Sequence, residues 1–195
     1  MTSSISNTPQ HQCFIYEGAP SSHLAEVART LSQRLGANRR CLYLNSPPMV
    51  AGMRSQLAAA GLEPRAHMER GALILSSEQG HLVAGKFDVP RMLRLLRDTL
   101  HQALADGYAG LWAAGDMTWE FGSETNWDKL FDYERRLEDF MQANPALSGI
   151  CLYHRDTLPA QAIETALITH PALYVSASLS QVNSRYYQHL ARKEA

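Results

Sequence analysis

Short apolar runs alternate with longer amphipathic segments along most of the chain. The runs are four to six residues long and are bounded by Gly, Pro, Asn or other polar residues, a pattern typical of buried strands. They cover residues 13–16, 41–44, 72–75, 110–115, 150–153 and 172–175. We therefore expect six strands in the core of the protein.

Between these runs, apolar residues recur every three or four positions, which predicts amphipathic helices. The helices are expected from Ser21 or Ser22 to Gly36 and over residues 49–60, 89–105, 127–143 and 160–169, with a short last helix within residues 181–193. Apolar strands that alternate with helices favour a parallel sheet covered on both faces. The expected fold class is therefore α/β, with one doubly wound domain over residues 11–195 and a flexible tail over residues 1–10.

Composition narrows the class of function. The chain has 195 residues, 45% of them hydrophobic, and a net charge of -1, so no strongly basic surface for nucleic acid is expected. Arg91, Arg94 and Arg97 follow helical spacing, which is typical of a solvated helix face. The sequence contains no signal-peptide pattern and no apolar segment of membrane-spanning length. We expect a cytoplasmic protein that contacts neither nucleic acid nor membrane directly.

Polar and aromatic residues collect after the predicted strands, at the strand ends where ligands bind in open parallel sheets. A site lined by Tyr and Trp and ringed by a few carboxylates and histidines suits a small, partly apolar ligand. The predicted ligand-binding residues are Tyr16, Glu17, His23, Asn45, Asp116, Trp119, Tyr153 and His154.

The first strand-to-helix loop, residues 17–23, lacks the chemistry of a phosphate-binding loop. Such a loop needs glycines for close backbone approach, a lysine for the phosphates and a Ser or Thr for magnesium. The segment EGAPSSH has one glycine, no lysine, and Glu17, whose charge repels phosphate. This argues against ATP hydrolysis, although Ser21 or Ser22 at a helix start leaves weak anion binding open.

An ordered series of short motifs resembles the MEDS domain, the sensory domain of methanogen and methylotroph signalling proteins and of the dichloromethane regulator. The motifs are HQC at 11–13, YE at 16–17, RCLY at 40–43, GKFD at 85–88, GYAGL at 107–111, GDMTW at 115–119, YE at 133–134, CLY at 151–153 and HP at 170–171. The resemblance implies a three-layer α/β/α sandwich with a mostly parallel, RecA/KaiC-like sheet that has lost its phosphate loop. It also implies a domain that senses small molecules, with hydrocarbon derivatives proposed, and that passes the signal to a DNA-binding or kinase domain.

Three positions depart from the family pattern. Trp112 stands where an Arg is usual, Asp116 where a Glu is usual, and the segment 152–154 is Leu-Tyr-His where Gln-Tyr-Asp is frequent. These changes predict a ligand site that is less cationic and more aromatic than in other members. The identity of the ligand therefore does not carry over from the resemblance.

The three cysteines, Cys13, Cys41 and Cys151, lie in apolar runs and form no CxxC pair, so reduced, buried thiols are expected. His11 and Cys13 point to the same face of their strand, and a RecA-like order would place the Cys151 strand beside it. A metal or redox site of His11, Cys13 and Cys151 is one interpretation, and simple packing of buried thiols is the other. A reducing cytosol argues against a disulfide, and no other cofactor is expected.

The structural roles of three further residues follow from their positions in the sequence, and two of these residues have alternative roles. Asp116 occupies a Walker-B-like position, where it either contacts a ligand or caps a helix. Glu134 lies in the middle of a predicted helix and either pairs loosely with a neighbouring Arg or makes a buried bond to the loop ends of the sheet. His170, which precedes Pro171, is expected to fix the turn into the last strand.

The function hypothesis is a non-enzymatic small-molecule sensory domain in signal transduction or transcriptional regulation. It would bind a small organic ligand at the C-terminal ends of the strands and signal through a regulatory protein partner or a homodimer. The alternative is a degenerate RecA/KaiC-like nucleotide-binding protein or ATPase. A third hypothesis is a structural or regulatory partner that binds no ligand and acts through an oligomer interface.

Overall fold

The computed structural model describes residues 9–121 and 127–193. Their strands belong to a large sheet and to a small two-stranded hairpin. The strands are β1 (His11–Tyr16), β2 (Arg40–Leu44), β3 (Leu73–Ser76), β4 (Leu82–Val83), β5 (Lys86–Phe87), β6 (Leu111–Asp116), β7 (Leu147–His154), β8 (Ala172–Ser176) and β9 (Leu179–Val182).

The helices lie between the strands, and one follows the last strand. They are α1 (Leu24–Gly36), α2 (Pro47–Ala59), α3 (Pro64–Glu69), α4 (Val89–Ala105), α5 (Met117–Phe121), α6 (Asp128–Ala143), α7 (Ala160–Thr169) and α8 (Ser184–Lys193). Among the described residues, no helix is both long enough and apolar enough to cross a membrane.

The large sheet has seven strands in the order β3-β2-β6-β7-β1-β8-β9. All neighbouring pairs are parallel except β8 and β9, which are antiparallel. The prediction that β1 and β7 are neighbours is confirmed, and their register places Cys13 opposite Cys151. The expected fold class, a three-layer α/β/α sandwich with a mostly parallel sheet, is confirmed by this order.

Side chains alternate between the two faces of the sheet, and each face is covered by its own helices. On β2, Cys41 and Tyr43 join the core formed with α1 and α2, whereas Leu42 and Leu44 join the core formed with α4, α6 and α7. This alternation follows from the two-residue period of a strand. Because both faces are buried, the strands are apolar throughout, and this made them visible in the sequence.

The structure adds elements that the apolar pattern did not predict, and it corrects one. The helix α3, the hairpin β4–β5 and the helix α5 are too short for a periodic signal. Residues 181–182 were expected within the last helix but belong to β9, an edge strand whose side chains are largely exposed. A strand exposed on one edge has no continuous apolar run, so the sequence carried no signal for it.

The N-terminal boundary of the fold lies slightly earlier than expected. Residues 1–8 of the predicted flexible tail lie outside the described part of the chain. Gln10, which was also assigned to that tail, donates from Nε2 to three backbone carbonyls, those of Met141, Asn144 and Leu147, at 2.7–3.2 Å. Gln10 therefore ties the start of β1 to the segment that enters β7.

Candidate functional site

Six buried polar and aromatic side chains meet where the C-terminal ends of β1, β2, β6 and β7 form one edge of the sheet. We call this set the edge network; its members are Tyr16, His23, Tyr43, Asn45, Asp116 and His154. Five of them are residues that the sequence predicted for the ligand site, and Tyr43 is the addition. They lie on the α1–α2 face because each strand member is an even number of residues from a core residue of that face.

Asp116 is the centre of the edge network. Its Oδ1 accepts hydrogen bonds from the backbone N–H groups of Thr118 at 2.8 Å and Trp119 at 3.3 Å, at the start of α5. Its Oδ2 accepts from Tyr16 Oη at 3.1 Å and from Asn45 Nδ2 at 3.0 Å. Both roles weighed for Asp116 are therefore present in one residue: it caps a helix turn, and it holds the buried side chains of two other strands.

His23 and Tyr43 extend the network toward α1 and α2. His23 Nε2 lies 2.9 Å from Tyr43 Oη, which also accepts a hydrogen bond of 2.9 Å from Asn45 Nδ2. Burial lowers the pKa of His23. Burial also raises the pKa of the Tyr43 hydroxyl, and the charge of Asp116 raises it further. The imidazole is therefore neutral and the phenol protonated at neutral pH.

His154 connects the network to the first loop. Its ring stacks on Tyr16 with a centroid distance of 4.9 Å. Its Nε2 lies 2.9 Å from the carbonyl oxygen of Gly18, and its Nδ1 lies 2.7 Å from Thr157 Oγ1. Because a carbonyl only accepts, Nε2 carries the proton in this arrangement. The loop that lacks phosphate-binding residues is thus held in place from β7.

Three of the predicted ligand-site residues lie away from the edge network. Glu17 is exposed and pairs with Arg155 at 2.6 Å. Tyr153 points to the opposite face, toward α6, because it is adjacent to His154 in a strand. Trp119 is half-buried and packs on the α4–α6 side, with its ring centroid 6.5 Å from that of His81.

Trp112, one of the departures from the family pattern, also lies away from the edge. It is buried in the core on the α1–α2 face and lines a cavity of about 320 Å³ with Gln12, Thr30, Arg34 and Tyr174, among others. This cavity lies near the starts of β1 and β6 and the end of α1. The expectation that Trp112 makes the strand-end site more aromatic is therefore not met by its position, whereas His154 does contribute an aromatic ring there.

A second group of titratable side chains lies on the opposite face of the sheet. We call it the interior cluster; its members are His11 of β1, Glu134 of α6, Cys151 of β7 and His170, which follows α7. All four are buried, and their potential ligand atoms all lie within 4.8 Å of one another. Glu134 Oε2 is 3.2 Å from His11 Nε2, 3.4 Å from Cys151 Sγ and 3.5 Å from His170 Nε2.

Each imidazole and the carboxylate of the interior cluster are oriented by a further contact. His11 Nδ1 lies 2.9 Å from Glu138 Oε2, and His170 Nδ1 lies 2.9 Å from the carbonyl oxygen of Ala166. Tyr153 donates to Glu134 Oε1 at 2.5 Å, which leaves Oε2 directed into the cluster. Both rings therefore carry a proton on Nδ1 and present Nε2 to the centre.

The charges within the cluster differ between its two histidines. Burial favours a neutral ring at His11, but hydrogen bonds to Glu134 and Glu138 outweigh it and raise the pKa of His11 to about 9. Burial, together with the charge of His11, lowers the pKa of His170 to about 3. Burial also raises the pKa of the Cys151 thiol. At neutral pH, the groups alone hold one positive imidazole between two carboxylates, beside a neutral imidazole and a thiol.

The sequence found only part of this cluster. It proposed His11, Cys13 and Cys151; the structure brings His11 and Cys151 together with Glu134 and His170, whereas Cys13 Sγ contacts the carbonyl oxygen of Ala172 at 4.0 Å. A buried bond from Glu134 was one of the two alternatives, but it was placed at the loop ends of the sheet and not among His11, Cys151 and His170. For Glu134, the available signal was a carboxylate within the apolar stripe of an amphipathic helix.

Comparisons with known proteins agree with this architecture. The model of the family described as MEDS, the methanogen/methylotroph, DcmR sensory domain, matches residues 10–171. Among curated proteins, no match is found. Among solved structures, the chain is similar to the flagellar accessory protein FlaH from Methanocaldococcus jannaschii, with a TM-score of 0.57 and 14% identity over 91% of this chain and 81% of that chain. At this identity the likeness shows the fold alone, and it agrees with the three-layer α/β/α sandwich and mostly parallel sheet described above.

Proposed function

The chain belongs to the MEDS family of sensory domains, and from this premise we propose that it binds a small organic ligand at the C-terminal edge of its sheet. The observation that carries the proposal is the edge network. It joins the ends of four strands and the first loop through one carboxylate, Asp116, so a ligand that bonds to any member changes contacts on several elements at once.

The ligand class that we propose is a small, uncharged or weakly polar organic compound. Asp116 lies in the floor of this edge and carries a charge that repels phosphate. Glu17 stands at the rim, where Arg155 pairs with it and is thereby engaged. The first loop offers no lysine to offset the charge of Asp116. Aromatic surface from Tyr16 and His154 suits the apolar part of such a compound, and the amide of Asn45 suits its polar part.

We propose that the signal leaves through a regulatory protein partner or a second copy of this chain. Supporting this, the edge strand β9 and its neighbour β8 expose apolar side chains: Val175 of β8 is 47% exposed, and Leu179 and Val182 of β9 are 57% and 68% exposed. An edge strand with free backbone groups and exposed apolar side chains is a ready template for pairing with another chain. We propose that the domain acts as a sensor and not as an enzyme, in keeping with its sensory family.

Thermal-shift measurements test the ligand class. The panel contains small alcohols, aldehydes, amines and halogenated hydrocarbons, together with ATP plus magnesium. A true ligand at about 100 times its Kd stabilises the folded state by about 2.7 kcal/mol. We expect stabilisation by a member of the organic set. Stabilisation by ATP with magnesium alone, with hydrolysis that Asp116→Asn abolishes, would support the alternative of a degenerate nucleotide-binding protein.

Two variants locate the ligand once one is found. Asp116→Asn alters the edge network, whereas Thr30→Val alters the cavity of about 320 Å³ near the end of α1. We expect the thermal shift to weaken in Asp116→Asn and to persist in Thr30→Val. The opposite pattern would move the ligand to that cavity and would reject the strand-end site. Light scattering measures the oligomeric state with and without ligand. A comparison of the parent with Val182→Lys tests whether the signal passes to a second copy of this chain.

A further inference from the structure

The interior cluster has the donor set, the spacing and the outer contacts of a closed metal site. We propose that His11, Glu134, Cys151 and His170 bind one zinc ion, through Nε2 of both imidazoles, a carboxylate oxygen and the thiolate. This inference does not depend on the ligand proposed above, because the cluster lies on the other face of the sheet.

The distances fit tetrahedral coordination. Zinc bonds of about 2.0–2.3 Å to nitrogen, oxygen and sulfur require ligand atoms about 3.3–3.6 Å apart. The separations are 3.2 Å from His11 Nε2 to Glu134 Oε2, 3.5 Å from His170 Nε2 to Glu134 Oε2, and 3.6 Å from Cys151 Sγ to His11 Nε2. These three agree with tetrahedral coordination, and all four potential ligand atoms lie within 4.8 Å of one another.

The outer contacts also match what metal ligands require. A metal-bound histidine donates its other N–H to a carboxylate or a carbonyl, and here His11 does so to Glu138 and His170 to Ala166. The hydroxyl of Tyr153 fixes the carboxylate in the same way. Such contacts set the tautomer, so that both Nε2 lone pairs converge on one point.

Two hydrogen-bond acceptors of the cluster, His170 Nε2 and Glu134 Oε2, face each other without a donor between them. His170 Nε2 is fully buried and has no hydrogen-bond partner among the described residues. With Nδ1 bonded to a carbonyl, this Nε2 is an acceptor, and it faces another acceptor, Glu134 Oε2, at 3.5 Å. Two buried acceptors in contact are unfavourable, and a cation between them removes the conflict.

Zinc binding balances in charge. Zn²⁺ replaces the proton on His11 and the proton on the Cys151 thiol, and both are released to solvent, so the net charge of the cluster does not change. The ion supplies the field that a buried thiolate needs, since a thiol that coordinates a metal is deprotonated outright. Four protein ligands leave no position for a reacting molecule, which makes the site structural. It would join α6 and the end of α7 to β1 and β7.

The test loads the full chain during refolding, because a buried site binds metal as the protein folds. The probes are Zn²⁺, followed by metal analysis after dialysis against a weak chelator, and Co²⁺, followed by absorption spectroscopy. We expect one zinc per chain. With cobalt, we expect the intense visible bands of a tetrahedral site and a thiolate-to-cobalt charge-transfer band.

The variants use a matched pair of cysteines on neighbouring strands. Cys151→Ala should lose the charge-transfer band and most of the bound zinc, whereas Cys13→Ala, opposite it in the register, should keep both. Glu138→Gln, which changes only an outer contact, should weaken zinc retention about 10- to 100-fold. Loss of the band in Cys13→Ala with retention in Cys151→Ala would overturn the assignment.

The parent protein decides the proposal even if Cys151→Ala does not fold. A parent that refolds in zinc, gives its normal circular dichroism spectrum and holds no metal after dialysis would overturn the site. A cobalt-loaded parent without a thiolate charge-transfer band would do the same. Failure of these tests leaves the ligand experiments on the edge network unaffected, so each proposal can be rejected independently of the other.

Discussion

The edge network and the interior cluster are both buried, and both connect β1 with β7, but they satisfy their polar atoms in opposite ways. In the edge network, one carboxylate, Asp116, accepts from four donors, and His23 Nδ1 is the buried atom of the set that has no hydrogen-bond partner among the described residues. In the interior cluster, two imidazole nitrogens, a carboxylate and a thiol converge, and acceptor faces acceptor. Protein donors therefore surround the carboxylate of the edge network, whereas the interior cluster leaves His170 Nε2 and Glu134 Oε2 in contact at 3.5 Å.

This difference indicates what each region can do. Under the ligand proposal, a compound at the edge would compete with the hydrogen bonds that Asp116 already accepts from Tyr16 and Asn45. Under the zinc proposal, a cation in the interior would replace an unfavourable contact and would contribute to folding.

The largest effect is expected from the interior carboxylate. Glu134→Gln removes one of the two carboxylates that pair with His11 and places an amide beside the buried imidazolium, which then keeps only Glu138. The free energy of unfolding should fall by about 3 kcal/mol, the lower end for breaking a buried pair. Urea denaturation in the presence of a chelator measures it. Glu164→Gln, which affects an exposed pair with Arg185, is the control and should change stability by less than about 0.5 kcal/mol. A Glu134→Gln variant as stable as the parent would refute the role assigned to this residue.

A smaller loss is expected at the edge. Asp116→Asn keeps an oxygen for the backbone N–H groups of α5 but turns an amide toward Tyr16 and Asn45, which are also donors. The free energy of unfolding should fall by about 2 kcal/mol. Denaturation of this variant beside Asp98→Asn, an exposed carboxylate on α4, separates the network from a general charge effect. An equal response in the two variants would contradict the central position of Asp116.

The pH dependence separates the two regions further. Burial lowers the pKa of His23 below the value of about 6.5 that it has when unfolded. The unfolded chain therefore binds more protons as the pH falls through 6.5, and the contribution of a neutral His23 to stability is lost on the acid side of that value. His23→Gln should reduce the slope of stability against pH below about pH 6.5. A slope unchanged by the substitution would assign the acid sensitivity to His170, whose pKa of about 3 acts in the same direction.

The smallest effect is expected at the rim. Glu17 and Arg155 are 59% and 52% exposed, and solvent screens their charges. Glu17→Gln should change the unfolding free energy by less than about 0.5 kcal/mol, as measured by denaturation at low and high salt. A larger, salt-sensitive loss would show that this pair supports the first loop and that the edge network extends to the surface.

Much of the fold was predictable because both faces of a parallel sheet are buried. Every strand covered on both faces appeared as an apolar run, and α7 was predicted with the bounds that the structure gives, Ala160–Thr169. The edge strand β9 and the hairpin β4–β5 were not predictable, since exposed or two-residue strands have neither an apolar run nor a period.

The edge network was predictable from one geometric rule, that parallel strands end at a common edge. This rule located Tyr16, His23, Asn45, Asp116 and His154. It also included Tyr153, which lies next to the end of β7. The rule locates strand ends, but it does not tell which face of the sheet a side chain points to. The alternation of faces excludes Tyr153 from the edge and places it on Glu134.

By itself, the sequence determined the fold class, the family and the loss of phosphate-loop chemistry. Each of these is written in contiguous residues: apolar runs, short motifs, and a loop without lysine. Only the tertiary structure decided that Glu134 and His170 join His11 and Cys151. The helix α6 and the end of α7 pack on the face of the sheet that carries His11 and Cys151. Short sequence patterns determine helices and strands. Whether ligand atoms from β1, α6, β7 and the end of α7 meet at one point depends on how these distant elements pack. The physical character of the interior cluster is therefore a property of the folded chain.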